Sequence, residues 1–292
     1  MTANTITATA AGTWQLGDRT VNRLGFGAMR LMGFEPENTL AERERAISVL
    51  RRAVELGVNH IDTAAFYARG IHSSNALISS ALGDPYPEDL VITTKVGPGL
   101  DPVSGQITAY GPEYLRSQVE QNLRELGRDH LDVVNLRIGG GLDRGTGSLG
   151  DRFGVLAELR EKGLIRHLGI SNVSPEHLRE AQAIAPVVCV QNQYGLTARR
   201  EDDEFIKLCA EEGVAFVPFF AIAGGGEHPA VAEIAQAHGA SPAQVRLAWT
   251  LHQGPNVLAI PGTGNPSHVE ENIAAAALRL SEEEIARLNS IQ

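Results

Sequence analysis

Three residues in the first third of the sequence, Asp62, Tyr67 and Lys95, have the types and spacing expected of a proton-transfer site. A phenol ordinarily titrates at about pH 10, which is too high for efficient proton exchange at neutral pH. An ammonium group beside the phenol lowers its pKa, and a carboxylate bound to the ammonium keeps that group charged and oriented. Taken singly, Asp62 could be a helix N-cap and Lys95 part of a surface ion pair. Together the three predict a general acid that can protonate an alkoxide.

The elements that must position these residues show a repeating pattern. From residue 40 onward, amphipathic stretches end at a glycine and are followed within a few residues by a short apolar run. Glycine suits the left-handed position at a helix end, which side chains with a Cβ avoid. The predicted helix-ending glycines are Gly57, Gly127, Gly163 and Gly213, and the predicted helix starts are Ser174-Pro175, Ser241-Pro242 and Ser281 with Glu284. Strands that alternate with helices in this way predict parallel βαβ units.

About eight such units lie between Val21 and Pro261, which predicts the α/β class and a single (β/α)₈ barrel of the TIM type. A doubly wound open sheet is the alternative, but no G-x-G-x-x-G turn follows the first strand. Residues 13–21 are predicted as a β-hairpin that closes the bottom of the barrel, and an extra helix is predicted at the C-terminus. The predicted barrel domain covers residues 13–292, and residues 1–12 are predicted to be a disordered N-terminus.

Barrel enzymes carry their reactive residues at the carboxyl ends of the strands. At the ends of predicted strands two to seven stand Asp62, Lys95, Asn135 with Arg137, Ser171 with Asn172, Gln191 with Asn192, and Phe219 with Phe220. The Gly-rich pieces from Gly139 to Gly150 and from Gly224 to Gly226 also follow predicted strands. We interpret both as loops on the face that carries the chemistry.

Several segments, in order and in combination, resemble the signatures of the aldo-keto reductase family. GVNHIDTAAFYARG resembles the family's D-T-A-x-x-Y signature, and VITTKVG resembles its catalytic lysine strand. The resemblance runs from RLGFGAMRL near the start to IPGTGNPSHVEEN near the end, so it covers almost the whole chain. The opening segment and LDVVNLR look most like a bacterial branch that includes pyridoxal reductases.

The resemblance implies an NAD(P)H-dependent reductase of aldehydes or ketones, with Tyr67 as proton donor, Lys95 depressing its pKa and Asp62 as the partner of the lysine. It also implies a nicotinamide on the rim. Ser171, Asn172 and Gln191 would hydrogen-bond its carboxamide, and the Phe219 ring would stack on it. The other implied cofactor-binding residues are Gly27, Ala28, Met29, Asp62, Thr263, Gly264, His268, Glu271 and Asn272. The phosphates would lie at the start of the helix after IPGTG. Ser171 and Asn172 could instead form a turn, and Phe219 could belong to the core.

One departure from the family pattern concerns Arg137. The usual fourth strand ends in a histidine five residues after an aspartate, whereas Asp132 here is followed by V-V-N-L-R. A guanidinium offers a permanent charge and several donors where a neutral imidazole offers one. We expect Arg137 to be catalytic, stabilising the alkoxide or binding an anionic substrate group. Pyridoxal, with its largely anionic phenolic oxygen, or another small aromatic aldehyde would suit it. The alternative is an Arg137 that points sideways and pairs with an acidic neighbour.

A second departure concerns the cofactor. Family members that prefer NADPH usually place a Lys and an Arg around the 2′-phosphate, and here those positions are Gly262 and His268. Backbone N–H groups and Thr263 could still bind the phosphate. We expect NADPH, as in the branch that the chain resembles, and NADH stays open.

Composition limits the partners. The 292 residues are 43% hydrophobic and 21% charged, with a formal charge of −10 and no run rich in Lys or Arg, which argues against nucleic acid or an anionic membrane surface. No apolar run approaches the roughly 20 residues of a membrane span, and the N-terminus lacks a signal peptide's features. We expect a cytoplasmic monomer or weak homo-oligomer that acts on a small carbonyl compound. Cys189 and Cys209 are predicted as buried free thiols rather than a disulfide, and no metal site is predicted.

Two other functions stay open. The family also includes potassium-channel β subunits, in which cofactor binding matters more than turnover, although a binding module has no need of a tuned acid. An unrelated barrel aldolase would use Lys95 as a Schiff-base amine. That role needs an uncharged amine, and a carboxylate beside the amine favours the charged form.

Overall fold

The computed structural model describes residues 5–32, 39–69, 72–100, 107–109, 111–139, 141–142, 144–198, 200–222 and 228–291. Its strands are β1 (Thr13–Leu16), β2 (Arg19–Asn22), β3 (Phe26–Gly27), β4 (His60–Asp62), β5 (Ala68–Arg69), β6 (His72–Ser73), β7 (Val91–Val96), β8 (Pro98–Leu100), β9 (Ile107–Ala109), β10 (Leu131–Arg137), β11 (Ile165–Ser171), β12 (Val187–Gln191) and β13 (Ala215–Phe216). Its α-helices are α1 (Leu40–Glu55), α2 (Ser74–Leu82), α3 (Pro112–Leu126), α4 (Gly150–Glu161), α5 (Pro175–Gln182), α6 (Asp203–Glu211), α7 (Pro229–His238), α8 (Pro242–His252), α9 (Pro266–Ala274) and α10 (Glu282–Asn289).

The main sheet is parallel and curls into a ring. Its strand order is β3-β4-β7-β10-β11-β12-β13, so neighbours in the sheet follow one another along the chain. Residues 256–261 join the two edges, because Ala259 bridges to Leu24 beside β3 and Val257 bridges to Phe216 in β13. The predicted (β/α)₈ barrel is therefore confirmed. The eighth strand position of the barrel is filled by residues that form isolated β-bridges and not a regular strand.

Local signals set the helix ends much as the sequence predicts. The four helix-ending glycines have φ between 64° and 85°, and Gly127 adopts the left-handed conformation directly after α3. Ser241 caps α8 in a capping box with Gln244, and Ser281 caps the predicted extra helix α10 in a box with Glu284. These caps satisfy N–H groups that have no partner inside the helix.

The predicted hairpin plugs the bottom of the barrel. Strands β1 and β2 pair antiparallel around Gly17 and Asp18. Leu16 and Val21 of the hairpin are buried in an apolar cluster inside the ring, with Val91, Val133, Cys189, Ala215, Val217 and Leu258. A second and larger cluster fills the layer between the sheet and the helices. The barrel is thus closed at the end opposite to the carboxyl ends of its strands.

Leu16→Ala is expected to lower the free energy of unfolding by about 2–5 kcal/mol, because it opens a cavity where the hairpin seals the barrel. Leu16 is 1% exposed, so its whole side chain contributes to packing. The neighbouring Gln15 is exposed and serves as the control, since Gln15→Ala is expected to change the same quantity by less than about 0.5 kcal/mol. Urea unfolding of both variants measures the difference. Similar values for the two would contradict the plug.

The N-terminus differs from the sequence prediction. Ala8–Ala11 form a short 3₁₀-helix, Ala8 is fully buried, and its N–H donates to the carbonyl of Leu56 at 2.8 Å. Disorder over residues 1–12 is therefore wrong for Ala8–Ala11, because small side chains let this segment pack closely against the end of α1. Residues 1–4 lie outside the described residues.

Two further predictions concern cysteines and loops. Cys189 and Cys209 are free and buried, as predicted. The Gly-rich piece at 224–226 lies outside the described residues. Within the described ranges, no helix has the length and apolar character needed to cross a membrane.

Candidate active site

A cleft of about 850 Å³ opens at the carboxyl ends of the barrel strands. Several residues singled out in the sequence line its described part: Gly27, Met29, Asp62, Tyr67, Lys95, Arg137, Phe219, Thr263, Gly264 and His268. They come from strands and loops far apart in the chain. The barrel therefore brings the predicted proton-transfer residues and part of the predicted cofactor residues to one place.

Asp62 and Lys95 form a buried ion pair at the base of the cleft. The two residues end neighbouring strands, because Asp62 in β4 lies opposite Thr93 in β7 and Lys95 follows two residues later on the same face. The Lys95 Nζ donates to Asp62 Oδ1 at 2.6 Å and to the carbonyl oxygen of Thr63 at 2.8 Å. Both side chains are less than 5% exposed. A carboxylate beside the amine favours its charged form, which disfavours the Schiff-base alternative.

Tyr67 lies directly beside this pair. Its backbone is held by hydrogen bonds to Ala64 and Ser74, and Lys95 Nζ lies 5.0 Å from the centroid of its ring. Burial raises the pKa of the Tyr67 phenol above its ordinary value, and the charges of Lys95 and Arg137 act in the opposite direction. Lys95 acts on this pKa in the direction expected of it, and burial makes the larger contribution. The two cations favour the phenolate and burial favours the protonated phenol, so the position of Tyr67 in the cleft determines both contributions.

Arg137, the departure from the family pattern, points into the cleft from the end of β10. It is 9% exposed and donates to the carbonyl of Gly141 at 2.7 Å. Its Nη1 lies 3.4 Å from Ser171 Oγ, and its guanidinium carbon lies 5.0 Å from the centroid of the Phe219 ring. Within the described part of the chain no carboxylate forms an ion pair with Arg137, so the sideways alternative is not what the structure shows.

Four of the predicted cofactor residues lie beneath the rim instead of lining the described cleft. Ser171, Asn172 and Gln191 are at most 1% exposed. Asn172 has a left-handed backbone, with φ 65°, and its Nδ2 donates to the carbonyl of Ile138. Gln191 donates its Nε2–H to Asp62 Oδ2 at 2.9 Å. The fourth residue, Ala28, is buried and accepts a hydrogen bond from Ser74 through its carbonyl.

The start of α9 forms the other end of the cleft. Asn265 caps this helix by accepting the N–H of Ser267 at 3.1 Å, and Thr263 Oγ1 accepts the N–H of Asn265 at 2.9 Å. The lining residues here are Thr263, Gly264, Asn265 and His268. Glu271 and Asn272, one turn further along α9, do not line the described cleft. Their predicted role in binding the cofactor stays a prediction.

The sequence does not indicate that two arginines lie at this end of the cleft. Arg30 and Arg45 line the same cleft as Gly264 and His268. Arg45 lies in the first two turns of α1, its side chain is 52% exposed, and its Nη2 lies 3.9 Å from Glu42 Oε1. The run AERERAISVL reads as an ordinary amphipathic helix, so only the packing of α1 against α9 shows where Arg45 points.

The middle of the cleft is largely apolar. Besides Phe219 it is lined by Phe66, Leu142, Phe220 and Ile222. Phe220 has φ 61°, a backbone conformation that is costly for a bulky side chain, and its ring meets the Phe219 ring edge-on at 5.5 Å. The described residues contain no group of three or more His, Cys, Asp or Glu side chains that could hold a metal ion.

Comparison with known proteins identifies the family. The model of the aldo/keto reductase family matches residues 23–231 and 226–292. The chain belongs to this family. It is 45% identical to the Escherichia coli pyridoxine 4-dehydrogenase over 286 residues, covering 97% of this chain and 99% of that protein. The predicted family and the predicted oxidoreductase class are confirmed.

Solved structures agree. A Klebsiella pneumoniae aldo-keto reductase crystallised with NADPH has a TM-score of 0.79 and 27% identity, covering 95% of this chain and 93% of that chain. A thermostable aldo-keto reductase in complex with the inhibitor epalrestat has a TM-score of 0.79 and 30% identity, covering 96% and 99%. The overall fold is therefore that of an aldo/keto reductase.

Proposed function

We propose that this chain is an NADPH-dependent carbonyl reductase in which Tyr67 is the general acid. The observation that carries the proposal is the buried Asp62–Lys95 pair, joined at 2.6 Å, beside the Tyr67 phenol at the base of the cleft. The name of the Escherichia coli relative, pyridoxine 4-dehydrogenase, supports the same reaction class.

The polar residues of the cleft have separate roles in the reduction. When bound, NADPH supplies a hydride to the carbonyl carbon. Tyr67 donates its phenolic proton to the carbonyl oxygen, which gains negative charge as the carbonyl is reduced. Lys95 stabilises the phenolate that remains, and Asp62 holds the ammonium in place. Arg137 supplies a second positive charge at the same end of the cleft, where negative charge develops on the substrate.

The described residues fit a phosphate-bearing nucleotide. N–H groups at the start of α9 favour anions, and Thr263 and Gly264 lie directly before that helix. Arg30 and Arg45 add positive charge to the same end, although Gly262 and His268 lack the cations usual around a 2′-phosphate. At the other end, aromatic rings fit a planar nicotinamide. This distribution of charge supports NADPH, since the additional phosphate of that cofactor gains most from the arginines.

The substrate that we propose is a small aromatic aldehyde with an anionic oxygen near the carbonyl, such as pyridoxal. The apolar middle of the cleft fits an aromatic ring, and the buried Arg137 guanidinium fits the anionic oxygen. Arginine keeps its charge in proteins, so the preference does not depend on a protonation step of the enzyme.

Arg137→Met is expected to lower kcat/KM for pyridoxal by about 10- to 100-fold, the value of a hydrogen bond to a charged group. The loss for benzaldehyde, which has no anionic oxygen, is expected to be smaller. Steady-state NADPH oxidation with both aldehydes measures the ratio. Arg124→Met removes the same charge from the exposed face of α3 and is expected to change neither value.

Equal losses with both aldehydes would contradict the assignment of Arg137 to the anionic oxygen. No turnover of either aldehyde by the unmodified protein, with NADPH still bound tightly, would contradict the reductase itself. That second result is the one expected of a cofactor-binding regulatory subunit.

A further inference from the structure

A chain of hydrogen bonds runs through the barrel interior and ends at Asp62. The Cys189 thiol donates to Asn135 Oδ1 at 3.0 Å, and Asn135 Nδ2 donates to Gln191 Oε1 at 3.4 Å. Gln191 Nε2 then donates to Asp62 Oδ2 at 2.9 Å, and Lys95 occupies the other carboxylate oxygen. Every member of the chain is at most 3% exposed.

The sheet register shows that this chain is built into one layer of the barrel. Lys95 lies opposite Asn135, Asn135 opposite Gly169, and Gly169 opposite Cys189, on four consecutive strands. Gly169 makes the layer possible, because a Cβ at that position would lie 2.0 Å from Asn135 Oδ1 and 2.6 Å from Cys189 Sγ. The space that glycine leaves is filled by the Asn135 amide.

All the donors in this series of hydrogen bonds point toward the Asp62 carboxylate. An ionised carboxylate only accepts hydrogen bonds, so Gln191 must present its N–H to Asp62 and its oxygen to Asn135. At the far end, burial raises the pKa of the Cys189 thiol to about 12, so the thiol keeps its proton and donates. Aligned hydrogen bonds in a dry interior polarise one another and strengthen the last bond.

We propose that Asn135 is a positioning residue for the proton transfer, acting through Gln191 to fix Asp62 and hence Lys95 beneath Tyr67. The inference rests on the proposed role of Tyr67 as general acid. Without the Asn135 donor, the Gln191 amide is free to turn away from Asp62. The carboxylate then holds the Lys95 ammonium less firmly, and the ammonium lowers the pKa of Tyr67 less.

Asn135→Leu is expected to lower kcat about tenfold, with KM and the Kd for NADPH changed less than twofold. Oxidation of the alcohol needs the Tyr67 phenolate, so its rate rises with pH through the pKa of Tyr67. In the variant this rise is expected about one pH unit higher. Burial raises the pKa of Tyr67, and the less firmly held Lys95 ammonium then offsets less of that increase. Asn135→Ser, a smaller change that also removes the amide donor, is expected to shift it in the same direction.

Asn256→Leu is the matched control. Asn256 is a fully buried asparagine that donates to the carbonyls of Ile206 and Val214, and it does not line the cleft. Its replacement is expected to lower stability and leave the pH profile unchanged. A wild-type pH profile in Asn135→Leu, or in Asn135→Ser if the leucine variant does not fold, would overturn the inference whether or not kcat falls. Full activity of Tyr67→Phe would instead overturn the proposed function, so the two failures are distinguishable.

Discussion

Tyr67→Phe is expected to lower kcat for aldehyde reduction by about 10²- to 10⁴-fold, the usual contribution of a general acid. The substitution removes one oxygen atom and keeps the ring that packs edge-on against Phe66, with centroids 5.3 Å apart. The carbonyl oxygen then gains negative charge without a proton donor beside it. Steady-state kinetics with NADPH and pyridoxal measure the loss.

Cofactor binding is expected to survive this substitution, with the Kd for NADPH unchanged within about twofold, since Tyr67 contributes a proton and little of the binding surface. Quenching of tryptophan fluorescence, or isothermal titration, measures the Kd. Tyr86→Phe is the matched control, because the Tyr86 hydroxyl donates to the carbonyl of Leu126 away from the cleft. That variant is expected to keep the wild-type rate and lose about 1 kcal/mol of stability at most. Tyr67→Phe at more than a tenth of the wild-type rate would contradict the mechanism.

The strand and helix order could be predicted from sequence because its signals are local. Gly127 and Ser281 act on the residues next to them, so the cap that each predicts is the cap that forms. Asp62 and Lys95 end adjacent parallel strands, and in a barrel the ends of such strands meet at one rim. The contact between these two residues therefore follows from the topology together with their places at the strand ends.

The features of the site that could not be predicted from the sequence depend on long-range packing. Arg45 lies in an ordinary amphipathic helix and reaches the cleft only because α1 packs beside α9. The direction of the Tyr67 pKa depends on how deeply the phenol is buried, which spacing does not reveal. Asn135 was visible as a strand end, but its bonds to Gln191 and Cys189 depend on the register of three strands and on the space above Gly169.

Lys95 and Arg137 both act on Tyr67, but they are held differently. Lys95 is paired with a carboxylate, whereas Arg137 donates to the neutral oxygens of Gly141 and Ser171 and lies over the Phe219 ring. Among the described residues no carboxylate pairs with this guanidinium, so it keeps its capacity to attract an anion. We therefore expect different roles for the two cations, one on the proposed acid Tyr67 and one on the substrate.

Lys95→Met is expected to lower kcat by about 100-fold or more and also to destabilise the protein. The side chain of Asp62 is 4% exposed in the pair, so removal of Lys95 leaves a buried carboxylate without its counter-charge. Breaking a buried pair in this way costs about 3–5 kcal/mol. Urea unfolding and steady-state kinetics of the same preparation measure the two effects.

The double variant Asp62→Asn with Lys95→Met separates these effects. It removes both charges and keeps at position 62 an amide oxygen that can accept the hydrogen bond from Gln191, now donated to Asp62 at 2.9 Å. Stability is expected to return to within about 1–2 kcal/mol of the wild type, because no unpaired charge remains. Activity is expected to stay as low as in Lys95→Met, because no ammonium remains to stabilise the Tyr67 phenolate. Recovery of activity along with stability would mean that Lys95 serves the fold and not the proton transfer.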